Sequence, residues 1–464
     1  MKLLLSFLFT IFITNIIIAQ TDNYKIVIDS FQRNYNADKY EEIFKLFSAE
    51  MKKALPIEKT KHFLTNLESQ VGNIQRMEFV GFQQEAYAMY KTTFEKDVLA
   101  LNISVNEQNQ INGLFIKPFD PTVNQNKTIN SLSKYPKEIA EIIFSKSKDL
   151  PKNTQLSIAI IQNGKVNFYG IINENDTIKP AKNQTKIFEI GSITKLFTST
   201  VLASLVVNEK IKLTDEINSY YPFAFKDNIK LNFMSLANHT SGLPRLPENL
   251  DLTNEVNPYK NYSKTELEEY LKSLLKIEND SSKTYSYSNL GTGLLGYTLG
   301  LTQKTNFQNL LQKMIFDKYK MDNSFTSSED LGSSLIKGLD KNGKVVSNWD
   351  FEVLFGAGGI LSTTEDLAKF ANAQFNPYNK DLELTRRTTA EIKGDTKIGL
   401  GWHKLELENG NDLLWHSGGT GGYSSSIVMK VEEKTAVIIL SNVSDINDKV
   451  DALSYELINK TSKK

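Results

Sequence analysis

The stretch that most constrains the fold is residues 196–207, which are apolar on nearly all sides of a helix. A helix that is hydrophobic around its whole circumference lies in the interior of a protein. Lys195 stands at the start of this run, and a charged side chain in such an interior is costly without a partner. The sequence therefore predicts a buried helix that carries a lysine for a functional reason.

Ser192 and Lys195 are three residues apart, a spacing that places both side chains on one face of a helix. A serine hydroxyl needs a neighbouring base to become a nucleophile, and burial lowers a lysine pKa enough to supply one. The spacing alone is weak, because four other serines have a lysine three residues on and read as surface pairs: Ser131, Ser145, Ser273 and Ser334. Only Ser192 follows a short apolar strand, residues 186–190, and precedes a buried helix, whose N-terminus favours developing negative charge. We therefore predict that Ser192 is the nucleophile and Lys195 its activating partner.

Tyr287 and Asn289 form a second candidate pair. A phenol acts as an acid or a base when nearby ammonium groups depress its pKa, and an asparagine amide can bond both a lysine and a substrate carbonyl. The same Tyr-x-Asn pattern occurs at residues 259–261, but only Tyr287 precedes a run of small residues, 290–296, that can pack closely beside another element. The alternative for Tyr287 is an aromatic core residue.

His416, Gly418 and Gly419 form a third candidate cluster, between the apolar residues 413–415 and a strand-like stretch at 426–430. Glycines at a β-edge let a substrate backbone approach, and exposed N–H groups there can bind an oxyanion. His416 could carry a positive charge toward a substrate carboxylate or bond Tyr287. The alternative is a structural histidine.

Together these motifs resemble a known family, the serine penicillin-recognising hydrolases that include class C β-lactamases, DD-peptidases, D-aminopeptidases and β-lactamase-like esterases. The matching segments are FEIGSITK at 188–195, LANHTSGLP at 236–244, YSNLG at 287–291, GAGGI at 356–360 and HSG at 416–418. The resemblance implies an α/β fold in which an antiparallel sheet of five or more strands is flanked by helices and a helical lobe is inserted. We assign residues 239 and 356–359 to the scaffold.

The resemblance also implies roles for individual residues. Ser192 would be acylated, Lys195 and Tyr287 would share proton transfer, and Asn289 would orient Lys195 and the substrate amide. The backbone N–H groups of Ser192 and Gly419 would form the oxyanion hole. Which of Lys195 and Tyr287 is the acylation base stays open.

One departure bears on the substrate, because most β-lactamases have a lysine where this chain has His416. Histidine has an ordinary pKa of about 6.5 and is largely neutral at pH 7, so it holds a β-lactam carboxylate less firmly. In the resembling family, histidine there accompanies peptidase and esterase branches. We predict an acyl-serine hydrolase acting on peptides containing D-amino acids, peptidoglycan-type substrates, small molecules or esters; the alternatives are a β-lactamase or a catalytically quiet sensor.

Composition excludes several other classes of protein. The chain has no cysteine and only four histidines, none of them four residues apart, so we predict no metal site and no cofactor. Lysine plus arginine and aspartate plus glutamate number 54 each, which disfavours a nucleic-acid partner.

The 464 residues favour two domains. Residues 1–19, with Lys2, an apolar stretch and Ala19, predict a cleaved signal peptide and hence a periplasmic or secreted protein; the alternative is an uncleaved anchor. Residues 20–118 show helical and then alternating patterns, a small α+β domain that resembles the nuclear-transport-factor-like type. A polar linker at 119–134 then precedes the hydrolase domain at 135–464, which opens with a helix and a hairpin turning at Asn163 and Gly164.

Overall fold

The computed structural model divides into two compact units, Met1–Lys127 and Thr128–Lys464, which are described separately. The predicted signal peptide at 1–19 lies outside the described residues. Those residues are 23–83, 87–119, 128–253, 256–278, 284–407 and 410–461.

The first unit is a set of helices followed by an antiparallel sheet, which confirms the predicted small α+β domain. The helices cover 23–35, Tyr40–Lys45, Ala49–Ala54 and Ile57–Val71. Four strands pair in chain order: Ile74–Gln83, Tyr87–Phe94, Val98–Val105 and Ile111–Pro118. The core between helices and sheet is rich in aromatic residues, among them Phe31, Tyr35 and Phe47.

The second unit is built on one large sheet, and eleven strands belong to it within the described residues. All its strand pairs are antiparallel except that of Ile129–Asn130 with Thr177–Pro180. Lys165–Phe168 pairs with Gln155–Gln162 outside the main order. That order is Ala390–Lys393, Thr396–Ile398, His403–Glu406, Asp412–Gly419, Ser424–Lys430, Thr435–Ser441, Gln155–Gln162, Ile171–Glu174, Thr177–Pro180 and Ile129–Asn130.

The central strands are buried on both faces, so their side chains alternate between two cores. Ile158 and Ile160 point into a core beneath the C-terminal helix, Asn447–Thr461, while Ala159 and Ile161 point into the larger core on the other face. Helix Lys137–Ser147 packs beside the C-terminal helix, and Thr364–Gln374 covers the opposite face.

The helical lobe belongs to the larger core and frames one end of the sheet. Its helices are Thr194–Val207, Phe233–Ala237, Lys264–Glu269, Asn289–Thr302, Phe307–Leu311, Asp317–Tyr319 and Lys380–Arg386. Shorter helical turns are Gly191–Ile193, Ile217–Tyr220, Lys226–Asn228, Tyr270–Leu274, Gln312–Phe316, Gly332–Ser334 and Phe355–Ala357. A two-stranded ribbon joins Phe188–Glu189 to Leu361–Ser362 just before the first of these turns. None of the helices in the described part of the chain has the length and apolar character that a membrane span needs.

The predicted linker at 119–134 extends too far. Ile129–Asn130 is a strand of the large sheet, and Leu132 is fully buried in the core beneath the C-terminal helix. Residues 128–134 therefore belong to the second unit. A strand of two residues shows no alternation in the sequence, which is why the composition of this stretch suggested a linker.

Candidate active site

Ser192 lies in a tight turn, Gly191–Ile193, between a short strand and the buried helix Thr194–Val207. It thus precedes the helix rather than beginning it, because Gly191 adopts a φ of +51° that turns the chain sharply. The turn also packs tightly against the sheet, since a Cβ on Gly191 would lie 2.6 Å from the backbone N of Gly419. A glycine is needed here both for its conformation and for its lack of a side chain.

Lys195 is fully buried, and three oxygen atoms surround its amine. Its Nζ lies 2.6 Å from the carbonyl O of Ala357, 2.9 Å from Oδ1 of Asn289 and 3.1 Å from Oγ of Ser192. Burial, reinforced by the positive charge of Arg245, lowers the pKa of Lys195 well below its ordinary value. The two carbonyl oxygens can only accept, so they take both N–H bonds of a neutral amine. The amine lone pair then faces the Ser192 hydroxyl, which is the arrangement of a general base.

Asn289 begins the helix Asn289–Thr302, whose N-terminus is capped by Ser288. The Ser288 hydroxyl accepts a hydrogen bond from the backbone N–H of Gly291 at 2.8 Å, a standard N-cap. The amide of Asn289 accepts from Lys195 through Oδ1 and donates through Nδ2 to the Tyr259 hydroxyl at 3.0 Å. Asn289 is thus fixed between the lysine and the cleft.

Tyr287 is partly buried and lies among cationic and aromatic groups. The Nζ of Lys195 lies 4.9 Å from the centre of its ring and the guanidinium carbon of Arg245 lies 5.2 Å from it. The ring of His239 is tilted against it at 4.5 Å. Burial raises the pKa of Tyr287 to about 12, although the Ser192 hydroxyl and the charge of Arg245 act in the opposite direction. The phenol is therefore protonated at neutral pH and fitted to donate a proton.

His416 stands on the strand Asp412–Gly419, where it is buried. Burial, followed by the influence of His403 and Lys195, lowers the pKa of His416 well below its ordinary value. The predicted option of a positively charged His416 is therefore wrong at neutral pH. Its Nδ1 is 2.8 Å from the carbonyl O of Ser417, which can only accept, so Nδ1 carries the proton. Nε2 is left as an acceptor and has no hydrogen-bond partner among the described residues.

The end of this strand is open on one side. On one side, residues 416–419 pair with residues 424–427. On the other side, the neighbouring strand His403–Glu406 pairs no further along than Trp415. Gly418 packs directly on the serine turn, because a Cβ there would lie 2.2 Å from the carbonyl O of Ile190 and 3.0 Å from the backbone N of Ser192. The backbone of Ser192 is thereby brought beside that of the strand end, as an oxyanion hole formed with Gly419 requires.

A cleft of about 610 Å³ brings the predicted residues together. Ser192, Tyr287, Asn289 and the strand end from His416 to Gly419 line it, while Lys195 lies behind Ser192. No group of acidic and histidine side chains within the described residues could hold a metal ion. The lining also contains residues that the sequence analysis did not select: Arg245, Tyr259, Tyr285, Trp349, His403 and Asn447.

Two segments assigned to the scaffold hold residues of the candidate site in place. His239 contacts Tyr287, and its Nδ1 accepts a hydrogen bond from the backbone N–H of Ser288 at 3.2 Å. The segment 356–359 contributes the carbonyl of Ala357 that accepts from Lys195. Both segments lie within the motifs that match the resembling family. That membership was the signal that could have linked them to the candidate nucleophile.

Comparison with known proteins matches the two units to different families. Residues 150–459 match the family model described as "Beta-lactamase", and residues 29–114 match one described as "Protein of unknown function (DUF3887)". A "Beta-lactamase" of Pseudomonas fluorescens is 27% identical over 62% of this chain and 88% of its own length. "Protein flp" of Staphylococcus aureus is 23% identical over 65% of this chain and 62% of its own length.

Solved structures show the same fold. A "Beta-Lactamase/D-Alanine Carboxypeptidase" from Pseudomonas syringae superposes with a TM-score of 0.60 at 21% identity, covering 70% of this chain and all of the other. A class C β-lactamase superposes with a TM-score of 0.59, also at 21% identity, over 70% of this chain and 97% of its own. At these identities the likeness establishes the architecture alone.

Proposed function

Because the chain belongs to the β-lactamase family of serine hydrolases, we propose that it hydrolyses peptide or ester bonds through an acyl-Ser192 intermediate. One observation carries this proposal: the buried amine of Lys195 lies 3.1 Å from Oγ of Ser192, and its other two neighbours are oxygens that only accept. Because its pKa is lowered in this setting, Lys195 is fitted to take the hydroxyl proton, which a surface lysine with its ordinary pKa is not.

The residues suggest the following steps. Lys195 removes the proton of Ser192, and Oγ attacks the substrate carbonyl carbon to give a tetrahedral oxyanion beside the N–H groups of Ser192 and Gly419. The proton then passes through the Tyr287 phenol to the leaving amine or alcohol, and the carbonyl re-forms as an acyl ester of Ser192. Water attacks that ester and gives a proton to Lys195, which returns it to Oγ of Ser192 as the bond between the acyl carbon and Oγ breaks, so that the acid and the free serine are released. The raised pKa of Tyr287 favours Lys195 over Tyr287 as the base for the first step.

The state of His416 favours peptides or esters over β-lactams as substrates. The residue at this position is neutral and buried, so it offers an acceptor, Nε2, rather than a positive charge. The open edge of residues 416–419 can pair with an extended substrate backbone, as a β-strand added to a sheet edge would. We therefore place D-amino-acid peptides and short acyl esters ahead of β-lactams, with a catalytically quiet sensor as the alternative.

Covalent labelling tests the proposal. We expect a fluorophosphonate or fluorescent penicillin to label the wild-type protein and to leave Ser192→Ala unlabelled. Ser273→Ala is the matched control, because Ser273 is exposed and also has a lysine three residues on, at Lys276. It should label as the wild type does. If the wild-type protein remains unlabelled, the proposal of an enzyme is wrong and the alternative of a catalytically quiet sensor takes its place. Rapid turnover of nitrocefin would instead establish a β-lactamase.

We also propose that residues 1–19 direct export and are removed after Ala19. The positive Lys2 and the following apolar stretch support this proposal. N-terminal sequencing of the mature protein from the periplasm or medium should begin at Gln20. Recovery of the full-length chain from the cytoplasm would contradict it.

A further inference from the structure

Arg245 is an exposed arginine at the mouth of the cleft. Its guanidinium carbon lies 5.2 Å from the ring centre of Tyr287, and no carboxylate in the described ranges forms an ion pair with it. Two other exposed cations lie over an aromatic ring, Lys272 over Phe223 at 4.3 Å and Lys318 over Tyr319 at 5.5 Å. Neither of these lysines lines the cleft. A guanidinium without a partner beside a proton-donating phenol is a candidate for binding an anion.

The charge of the cleft is otherwise close to zero. Among its described lining residues there is no aspartate or glutamate. The imidazoles of His403 and His416 have pKa values lowered by burial, His403 to about 4, so both are neutral at pH 7. Arg245 is therefore the fixed positive charge that a substrate meets when it enters.

The backbone of Arg245 is held in place by the catalytic segment itself. Its carbonyl O accepts hydrogen bonds from the backbone N–H groups of Asn289 at 2.9 Å and Leu290 at 3.2 Å. The preceding carbonyl, that of Pro244, accepts from the Ser288 hydroxyl at 2.6 Å. These bonds hold the backbone of Arg245 beside the segment that carries Tyr287 and Asn289. A guanidinium placed in this way is suited to bind a carboxylate through two parallel hydrogen bonds.

Part of the lining of the cleft is apolar. Leu246, which follows Arg245 in the chain, belongs to this part together with Leu250 and Pro258. An ion pair formed against such a surface is less screened than one in open water, so a carboxylate bound here would contribute more to recognition than a typical surface pair.

We propose that Arg245 selects substrates that carry a carboxylate, and that it holds this carboxylate beside the Tyr287 ring rather than at His416. This inference rests on the proposed acyl-serine function. It names the substrate class of that site: short acyl esters or peptides with a free carboxylate near the reacting carbonyl.

Two matched substrate pairs test the inference. The first is the mono-p-nitrophenyl ester of glutaric acid and its methyl-capped diester, which differ in a carboxylate on the acyl part. The second is an N-acetylated D-alanyl-D-alanine dipeptide and its C-terminal amide, which differ in a carboxylate on the leaving group. For at least one pair, Arg245→Gln should reduce kcat/KM for the charged member by about tenfold to a hundredfold more than for the neutral member, the range expected for a charge-assisted hydrogen-bonded contact.

The ratio between pair members is the readout, because loss of Arg245 also changes the electrostatics of Lys195 and Tyr287 and slows both members alike. Arg245→Lys should restore part of the ratio. Lys272→Gln, which removes a cation over a ring outside the cleft, should leave it unchanged. If Arg245→Gln leaves both ratios at their wild-type values, the inference is wrong.

A binding measurement separates failure of this inference from failure of the proposed function. Calorimetric titration of Ser192→Ala with the dipeptide and with its amide needs no acylation. Tighter binding of the free acid, lost in the Ser192→Ala, Arg245→Gln double variant, would support carboxylate recognition even if no turnover were found. Covalent labelling of the wild type together with equal affinity for acid and amide would overturn the role of Arg245 and leave the acyl-serine proposal standing.

Discussion

Gly191→Ala separates the contribution of the proposed oxyanion site to turnover from the contribution of the fold. The new Cβ would lie 2.6 Å from N, 2.8 Å from O and 3.0 Å from C of Gly419, and ordinary contacts begin at 3.4 Å. The obstruction is backbone on both sides, so Gly419 must move by roughly 0.8 Å relative to Ser192, the difference between those distances. A displacement of that size in a reacting geometry, or loss of one oxyanion donor, lowers turnover by about 10²–10³-fold. We therefore expect kcat to fall by that factor.

Gly332→Ala is the matched control for this experiment. Gly332 has a φ of +50°, nearly that of Gly191 at +51°, and a Cβ there would meet nothing within 4 Å. Both variants should lose about 1–2 kcal/mol of unfolding free energy to the left-handed backbone, measured by denaturant unfolding, and Gly191→Ala should lose more because its Cβ also clashes with Gly419. Only Gly191→Ala should lose activity in a steady-state ester hydrolysis assay. Equal kcat values for the two variants would refute the placement of the oxyanion site at Gly419.

Three further predictions concern the charge of Lys195 and the histidines. Asn289→Asp places a carboxylate against Lys195, raises its pKa, and should shift the acidic limb of the pH profile of kcat/KM to higher pH; an unshifted limb would argue against Lys195 as base. Lys195→Met should abolish covalent labelling of Ser192. The free energy of unfolding of the wild type, taken relative to this variant, should rise by up to about 1.4 kcal/mol per pH unit between neutral pH and 10.5. The reason is that Lys195 binds a proton in the unfolded chain in this range but not in the folded protein. Burial lowers the pKa of His403 from its ordinary 6.5 to about 4. Lowering the pH through this range should therefore reduce the free energy of unfolding by up to about 3 kcal/mol, and His403→Gln should weaken this pH dependence in urea unfolding.

The buried helix and the nearby hairpin were predictable because their signals are local. Residues 194–207 form the helix that the apolar run requires, and twelve of its fourteen residues are buried. Asn163 and Gly164 both have positive φ, as the two-residue hairpin turn demands. In each case neighbouring residues determine the local conformation, so the element could be predicted without knowledge of its tertiary contacts.

The rest of the site was hidden because its chemistry comes from backbone atoms and from long-range packing. One acceptor for the Lys195 amine is the backbone carbonyl of Ala357, which lies 162 residues further along the chain. Every residue has such a carbonyl, so the sequence does not mark this one. Arg245 stands in a loop where an exposed arginine is ordinary, and only its position over Tyr287 distinguishes it. The charge state of His416 likewise depends on burial by distant segments, which a strand pattern does not reveal.

The same packing explains why the proposed base would exist only in the folded protein. In an unfolded chain Lys195 has its ordinary pKa and is an ammonium at neutral pH, unable to accept a proton. Folding surrounds it with acceptors contributed from positions 94 and 162 residues away and removes the water that would stabilise its charge. Holding it neutral costs stability, since a proton must be released on folding. An enzyme that tolerates this cost keeps a neutral amine beside the Ser192 hydroxyl, whereas a protein that only bound ligands would gain stability by replacing the lysine with an apolar side chain. A buried lysine beside Ser192 therefore favours the proposed hydrolase over a protein that only binds ligands.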